Sequence, residues 1–253
     1  MKKQEITEPI DLCAAWIAAS RNLVIFTGAG ISTDSGLPDY RGPDGVWTRR
    51  DKGLAPPVQK KPIEQVEPNA GHMALVKLQE QGLLRFLISQ NVDNLHRKSG
   101  INPALLAELH GNCNLLKCLR CDGRLTKEEA GWDEKKWGKG YRTDRPVDGQ
   151  PRCRCGGRLI SSIVNFGDPM PRKEMELARH FSRQADLFIV IGSSLVVSPA
   201  NEFPGLAVRA GGKLVIINKG TTPLDSMAAL CFNEEIGVVL PKIVQKAVAS
   251  AAS

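Results

Sequence analysis

Long hydrophobic runs are missing from this chain of 253 residues, and no stretch approaches the roughly 20 apolar residues that a membrane-spanning helix needs. A signal peptide is not expected either. Two lysines precede an apolar run near the N-terminus, but Glu5, Glu8 and Asp11 interrupt it. Internal repeats and low-complexity tracts are also missing. We therefore expect a globular protein without a membrane segment, and no sequence feature specifies its oligomeric state.

Positive charge is in modest excess over negative charge, with a formal net charge of +7. A basic balance favours an acidic ligand, a nucleic acid or an anionic surface as partner. The charges are interspersed along the chain, however, so a solvated surface is the simpler interpretation. A nucleic acid partner therefore has no support beyond the net charge.

The seven cysteines are an odd number, and four of them form the close pairs Cys118-x-x-Cys121 and Cys153-x-Cys155. Thiolates suit Zn²⁺, and four of them make a closed structural site. We predict one structural zinc ion per chain and a reducing compartment, the cytoplasm. The second pair is tighter than usual, so unpaired thiols, or a site that recruits Cys113, stay open as alternatives. Two cysteines in apolar segments are predicted core residues, Cys13 and Cys231.

A glycine-rich turn follows the apolar stretch at residues 23–26. Gly28 and Gly30 flank one alanine, so the backbone can bend tightly and expose N–H groups to a pyrophosphate. The usual dinucleotide fingerprint has a third glycine where Thr33 stands, and an acidic strand end about 20 residues further on, which is missing. A proline-broken loop follows instead. We expect Arg41 in this loop to help bind the phosphates.

The pattern of apolar stretches predicts an α/β fold. Four stretches that end in small or polar residues are predicted strands, at residues 23–27, 83–89, 186–191 and 213–217. Helical spacing predicts helices at residues 8–20, 69–81, 173–183 and 199–210. We expect the sheet to resume at residues 159–166, and a strand turn from Ile236 before the C-terminal helix. This is a doubly wound, Rossmann-like parallel sheet with a smaller inserted module and a short helical or loop insertion.

Changes in composition divide the chain. Residues 42–68 are rich in proline and charge and too long for a simple strand–helix connection, so they are predicted to form a loop and helical insertion. Residues 113–158 lose hydrophobic periodicity and contain the cysteine pairs, so they are predicted to form a zinc-binding module outside the sheet. The Rossmann-like domain comprises the remaining ranges, 1–41, 69–112 and 159–253.

Polar side chains follow the second predicted strand directly, at Gln90, Asn91 and Asp93. Ligands gather at the carboxyl edge of a parallel sheet, so these residues are predicted to contribute to a site. Asp93 is interpreted as an orienting carboxylate, with a helix N-cap as the alternative reading.

Histidine is scarce, with four in the chain. His110 follows a short apolar segment, interpreted as a helix, and precedes a glycine that turns it toward the same edge as residues 90–93. An imidazole there can act as a general base near pH 7. His72 and His96 are weaker candidates, and His180 is expected at the surface.

Several of these motifs resemble, in the same order, those of the sirtuin family, and together they cover about residues 20–220. GVWT at residues 45–48, with the short insertion, is most similar to class IV sirtuins. Asn94 stands where the family usually has glycine, Asp168 where it has glutamate and Ala229 where aspartate is common, but none of them removes a catalytic group. The motifs are GAGIS (28–32), GLPDYRG (36–42), SQNVDNLH (89–96), LAELHGN (106–112), VNFGD (164–168) and GSSLVVSP (192–199).

The resemblance implies NAD-dependent removal of acyl groups from protein lysines, with NAD as a co-substrate that is cleaved to nicotinamide and O-acyl-ADP-ribose. His110 would be the general base, and Asn91 and Asp93 would help form the nicotinamide pocket. The other residues implied to bind NAD are Gly28, Ala29, Gly30, Ile31, Thr33, Asp39, Tyr40, Arg41, Trp47, Gln90, Gly192, Ser193, Ser194, Asn218, Gly220 and Ile236. An acyl-lysine peptide would lie as an added strand against Val164, Phe166, Gly167, Leu195 and Val197.

Two other functions stay open at this point. The same pocket would serve a mono-ADP-ribosyltransferase or an NAD glycohydrolase, and a zinc-stabilised NAD or ADP-ribose sensor would need little turnover. The lack of an obvious Ser-His-Asp set fits the deacylation chemistry, in which the acyl oxygen of the substrate attacks the ribose and no protein nucleophile is needed.

Overall fold

Nine strands and eight α-helices form the parts of the chain that this computed structural model describes, residues 8–59 and 61–251. The strands are β1 (Leu23–Thr27), β2 (Leu84–Ser89), β3 (Leu106–Glu108), β4 (Leu115–Cys118), β5 (Arg124–Thr126), β6 (Leu159–Ser161), β7 (Leu187–Ile191), β8 (Lys213–Ile217) and β9 (Leu230–Phe232). The helices are α1 (Pro9–Ala19), α2 (Val46–Asp51), α3 (Ala70–Glu80), α4 (Leu95–Ser99), α5 (Glu134–Trp137), α6 (Arg172–Gln184), α7 (Glu202–Arg209) and α8 (Ile236–Ala251). Short 3₁₀ helices lie at Ala29–Ser35, Ile63–Gln65, Pro103–Leu105 and Asp225–Met227.

Residues 1–7 lie outside these ranges. They include Glu5, and the sequence analysis assigns them to the Rossmann-like domain. Within the described ranges, no helix has the length and apolar character that crossing a bilayer requires.

Six strands form one parallel sheet in the order β3-β2-β1-β7-β8-β9. Strands β1 and β7 are buried along their whole length, because helices cover both faces and their residues are almost continuously apolar. Helices α1, α3 and α8 pack on one face, and α6 and α7 pack on the other. The strand order reverses between β1 and β7, which is the point where open α/β sheets bind ligands. The predicted doubly wound, Rossmann-like fold is confirmed, and the four predicted strands agree to within one residue.

A second, antiparallel sheet in the order β5-β4-β6 forms the module that contains the cysteine pairs. The prediction that residues 159–166 resume the large sheet is wrong, because β6 pairs with β4 and places Leu159 opposite Cys118. Trp132 packs with both residues in a separate small core. The small sheet therefore extends to Ser161, beyond the predicted module boundary at residue 158.

Two further predictions of local structure are wrong. The segment before His110 is the strand β3 instead of a helix, since Ala107 lies opposite Ile88 in the sheet. The chain is helical from Ile236 onward, without a strand turn, because α8 packs on α1 and α3. In both segments tertiary packing decides between structures that a short apolar stretch leaves open.

The turns after β1 and β7 touch each other backbone to backbone. The Gly30 amide donates to the Gly192 carbonyl at 2.8 Å, and the Gly28 amide donates to the Ile191 carbonyl at 3.0 Å. A Cβ on Gly28 or Gly30 would lie 2.6 or 2.7 Å from a backbone atom of Gly192, which is too close for any side chain. Gly192 also has a φ of 63°, in the left-handed region that favours glycine. These glycines therefore fix the spacing between the two turns.

We expect Gly192→Ala to lower the free energy of unfolding by about 2–5 kcal/mol, from left-handed strain plus overpacking. The new Cβ would lie 2.4 Å from the Ile31 amide nitrogen. Gly53→Ala is the matched control, because Gly53 is also left-handed but its Cβ would meet nothing within 4 Å. The control should lose about 1–2 kcal/mol. Urea unfolding followed by circular dichroism measures both variants, and equal losses would contradict the contact between the turns.

Candidate active site

A cleft of about 1250 Å³ runs along the carboxyl ends of β1, β2, β7 and β8. Every residue predicted to be catalytic or to bind NAD lines it except Ile31, and every predicted substrate residue lines it except Leu195. The Ile31 and Leu195 side chains are buried in the core instead, with 1% and 2% exposure. The topology therefore gathers segments that are far apart in the sequence at one edge of the sheet.

His110 is held in one tautomer by the backbone. Its Nδ1 lies 2.8 Å from the Gln90 carbonyl oxygen, so Nδ1 carries the proton and donates it. Nε2 is then left as the acceptor. Burial lowers the pKa of His110 below its ordinary value, and the bond to Gln90 opposes this shift. The residue is therefore a neutral imidazole near pH 7 with a proton-accepting nitrogen in the cleft.

Both carboxylate oxygens of Asp93 accept hydrogen bonds. Its Oδ1 accepts the amide of Leu95, the first residue of α4, at 2.9 Å, although the N-cap position of that helix is Asn94. Its Oδ2 accepts the Ser32 hydroxyl at 2.7 Å. Asn91 donates through Nδ2 to the Gly28 carbonyl at 3.2 Å and to Ser32 Oγ at 3.3 Å. These bonds tie the segment after β2 to the glycine turn.

Asn94 adopts a left-handed conformation, with a φ of 68°. Asparagine is one of the few residues that tolerate this region, so it preserves the backbone that a glycine at this position would give. Its Oδ1 also accepts a bond from Asn112 Nδ2 at 2.9 Å. Although the family usually has glycine at this position, Asn94 therefore still adopts the left-handed backbone conformation that a glycine allows.

The glycine turn differs from the prediction in one respect. The amides of Gly28 and Gly30 do not point at a ligand, because they donate to carbonyls of the neighbouring turn. The Ile31 amide likewise donates to the Gly28 carbonyl, at 3.2 Å. The glycines therefore shape the site by allowing close backbone approach, and their own N–H groups already have partners.

The loop after the glycine turn carries a row of aromatic rings. Tyr40 and Trp47 have ring centroids 4.9 Å apart, and Trp47 and Phe166 lie 5.6 Å apart. Arg41 stacks on Trp47 at 4.9 Å and forms an exposed ion pair with Asp51 at 2.8 Å. The pair uses only Nη1 of Arg41, so other donors of the guanidinium are not engaged by Asp51, and exposed pairs of this kind contribute little stability.

A hydrogen bond joins the segments after β2 and β7. Gln90 Nε2 donates to Ser193 Oγ at 2.7 Å, and the Leu195 amide donates to the same oxygen at 3.3 Å. Leu195 has a φ of 55°, which is rare for a leucine and is stored strain of the kind found at binding sites. Its buried side chain holds this strained turn against the core.

The four cysteines of the predicted metal site come together. Cys118 and Cys155 Sγ lie 3.5 Å apart, Cys121 and Cys153 Sγ lie 3.7 Å apart, and all four sulfurs lie within 4.8 Å of one another. A tetrahedral zinc ion with Zn–S bonds of about 2.3 Å requires sulfurs about 3.8 Å apart. The set fits one structural zinc ion and does not include Cys113.

The remaining histidines and cysteines lie elsewhere. His72 and His96 are buried with ring centroids 5.1 Å apart, and burial lowers their pKa to about 3 and about 4, so both are neutral. His180 is exposed, as predicted. Cys13 is buried as predicted, but the prediction for Cys231 is wrong, since this residue faces solvent on β9.

Several residues that line the cleft were not predicted as site residues, although some of them lie within the quoted motifs. Ser32 is the most informative, because it joins Asp93 to Asn91, yet a single hydroxyl inside a glycine motif carries no charge pattern. Its place in the GAGIS motif was the only available signal. Others on the cleft wall are Asp34, Val46, Thr48, Gln59, Ile63, Ile163, Asn165, Met170, Pro199, Thr221, Glu234 and Glu235.

The sheet order, the cleft at the switch point and the four gathered sulfurs define a Rossmann-type nucleotide-binding protein with a tetracysteine zinc module. Comparison with known families narrows this class. The chain belongs to the Sir2 family, whose model matches residues 54–199. The resemblance drawn from the sequence motifs is thereby confirmed at the level of the family.

Relatives and solved structures agree with this assignment. NAD-dependent protein deacetylase SRT1 of Oryza sativa subsp. indica is 39% identical over an alignment of 234 residues, and the match covers 91% of this chain and 46% of that relative. NAD-dependent protein deacetylase 1 of Geobacillus kaustophilus is 37% identical over an alignment of 247 residues, and the match covers 90% of this chain and 95% of that relative. The chain thus spans about half the length of the plant relative and nearly all of the bacterial one.

A solved structure of a Sir2 histidine-to-alanine variant, with a deacetylated p53 peptide and 3′-O-acetyl-ADP-ribose, is similar to this chain with a TM-score of 0.72. The two are 33% identical, and the match covers 93% of this chain and 97% of the other.

We expect the purified protein to contain about one zinc ion per chain, and Cys121→Ser to lose at least about half of it, because a closed site needs all four thiolates. Mass spectrometric metal analysis measures the content. Cys231→Ser is the matched control, since Cys231 lies outside the cluster and should keep the metal. Full zinc in Cys121→Ser would contradict the four-sulfur site.

Proposed function

We propose that this chain is an NAD-dependent protein-lysine deacetylase that cleaves NAD to nicotinamide and O-acetyl-ADP-ribose. The observation that carries the proposal is the position of His110, whose Nε2 is a proton acceptor in the same cleft as Asn91, Asp93 and the glycine turn. The two relatives described above are named NAD-dependent protein deacetylases, which supports the same conclusion.

The proposed reaction needs no protein nucleophile. The acetyl oxygen of the modified lysine attacks the ribose carbon that bears nicotinamide, and nicotinamide leaves with the bonding electrons. His110 Nε2 then accepts the proton of a ribose hydroxyl, whose oxygen attacks the resulting imidate carbon. Water completes the reaction and releases the free lysine amine with O-acetyl-ADP-ribose.

Exclusion of bulk water is the second requirement, because water would hydrolyse the activated ribose. The rings of Tyr40, Trp47 and Phe166 form a continuous row across the cleft. Phe166 is 83% exposed, so its ring is available to pack on an incoming lysine chain. We propose that this row closes the site when both substrates are bound.

The peptide substrate is proposed to lie between residues 164–167 and 195–197, as an added strand. The amides of Val164 and Asn165 already donate within the chain, to the His110 carbonyl at 2.9 Å and to the Asp168 carboxylate at 3.1 Å. We therefore place the main-chain pairing at Phe166, Gly167 and Val197. Asp168, where the family usually has glutamate, acts here by holding the Asn165 backbone.

Two finer assignments belong to the same proposal. The GVWT motif at residues 45–48 favours the class IV subfamily. A cytoplasmic setting is favoured because zinc binding needs the four thiolates to remain reduced.

Incubation of the protein with NAD and an acetyl-lysine peptide tests the activity. We expect nicotinamide release that depends on the peptide, with one O-acetyl-ADP-ribose formed per lysine deacetylated, measured by mass spectrometry. Nicotinamide release without peptide would instead indicate an NAD glycohydrolase, and label transferred from NAD to protein would indicate an ADP-ribosyltransferase. No release with or without peptide would contradict all three activities and leave an NAD sensor.

The pH dependence should follow His110. Because its pKa lies below the ordinary 6.5, we expect the single-turnover rate to be level above pH 6.5. The rate should fall as pH drops through the lowered pKa, since a protonated imidazole cannot accept the ribose proton. His110→Ala should lose about 10²–10⁴-fold in rate. The control His180→Ala, on the exposed side of α6, should match the wild type, and a full rate in His110→Ala would rule out this base.

A further inference from the structure

A cluster of four charged side chains, with a buried carboxylate at its centre and three partly buried partners, lies next to the turn that carries His110. Glu108 is 3% exposed, and its Oε2 lies 2.9 Å from Arg97 Nε and 3.9 Å from Arg124 Nη1. Arg124 Nη2 also pairs with Glu174 Oε2 at 3.0 Å. Two cations therefore meet two carboxylates, and the cluster is neutral as a whole.

The four members come from four different elements. Glu108 ends β3, Arg97 lies on α4, Glu174 lies on α6 and Arg124 begins β5 of the zinc module. Arg124 is thus the member that reaches from the small sheet into the large domain.

The zinc module determines where Arg124 lies. Arg124 is opposite Lys117 in the β4–β5 pairing, one residue from the ligand Cys118. The Cys118 amide donates to the Gly123 carbonyl at 2.9 Å, which closes the knuckle directly before Arg124. The metal ligands therefore fix the start of β5, and β5 fixes the guanidinium.

The other side of Glu108 leads to the catalytic turn. Glu108 Oε1 accepts from Asn112 Nδ2 at 2.5 Å, and the Glu108 carbonyl accepts the Gly111 amide at 3.1 Å. Asn112 is fully buried and exchanges two further bonds with Ser162 Oγ, through its amide and its carbonyl, each at 3.0 Å. His110 lies inside this turn, so Glu108 holds both ends of the segment that presents the imidazole.

We propose that Glu108 and Arg124 are positioning residues that couple the zinc module to the orientation of His110. The inference rests on the proposed deacetylase function for its kinetic consequence only. The cluster makes the placement of the base depend on an intact metal module although no cysteine touches the cleft. In this view the zinc ion supports catalysis through the Arg124–Glu108 contact as well as through stability.

Substitution of Arg124 tests the coupling. Arg124→Gln leaves the partly buried Glu174 without its cation and removes the link to Glu108. We expect kcat to fall at least tenfold, with KM for NAD changed less than threefold and one zinc ion per chain retained. Hydrogen exchange of the peptide covering residues 108–113 should become faster, while exchange in β1 and β7 stays at the wild-type rate.

The matched control is Arg172→Gln. Arg172 lies on α6, pairs with Glu176 at 3.0 Å and is 86% exposed, so the same change in chemistry should leave kinetics and exchange unaltered. If Arg124→Gln does not fold, Arg124→Lys decides the question. It keeps the charge but not the fork that reaches two carboxylates, so we expect a smaller loss of kcat, about threefold or more, with zinc retained.

A folded, zinc-loaded Arg124 variant with wild-type kcat and wild-type exchange at residues 108–113 would overturn the inference. A role in stability alone would accelerate exchange throughout the fold and leave kcat per folded molecule unchanged, which would also overturn it. Wild-type protein without deacetylase activity would refute the proposed function only, because the exchange measurement tests the coupling without turnover.

Discussion

The backbone contact between the turns after β1 and β7 is the constraint on which the rest of the site depends. Gly30 donates to Gly192 and Gly28 donates to Ile191, at distances that leave no room for a Cβ. The segment after β2 is then attached to both turns, by Asn91 to the Gly28 carbonyl and by Gln90 to Ser193. Since the Gln90 carbonyl holds the His110 ring, the position of the base follows from the same contact.

Sequence patterns predicted those parts of the fold that local composition determines. Strands β1 and β7 were found to within one residue, because each is an apolar run that stops at glycine. Sequence patterns did not predict the pairing of β6, because its two apolar residues do not reveal which sheet they join and the pairing with β4 decides it. Cys231 is exposed because β9 is an edge strand of the large sheet with only Phe232 fully covered, which a short apolar segment does not disclose.

The site itself was predictable where a motif names the residue and unpredictable where the role depends on a distant partner. His110, Asn91 and Asp93 were identified from motifs and strand ends, and they share the cleft. The partners of the glycine amides could not be identified in this way, because those carbonyls belong to the end of β7 and the turn after it, which lie far along the chain. At Asn94 the sequence shows the difference from the family pattern, but only the structure explains it. The residue has a left-handed φ, which asparagine tolerates almost as glycine does.

The electrostatics of the site explain why a charge cluster around a buried carboxylate can lie beside a neutral base. A lone carboxylate at Glu108 would favour the imidazolium form of His110 and oppose its role as an acceptor. Arg97 and Arg124 neutralise Glu108, and Glu174 balances the second arginine. Burial is then the main influence on the pKa of His110, which it lowers. The four side chains together can therefore hold the turn rigidly without raising the pKa of His110, so the imidazole stays neutral.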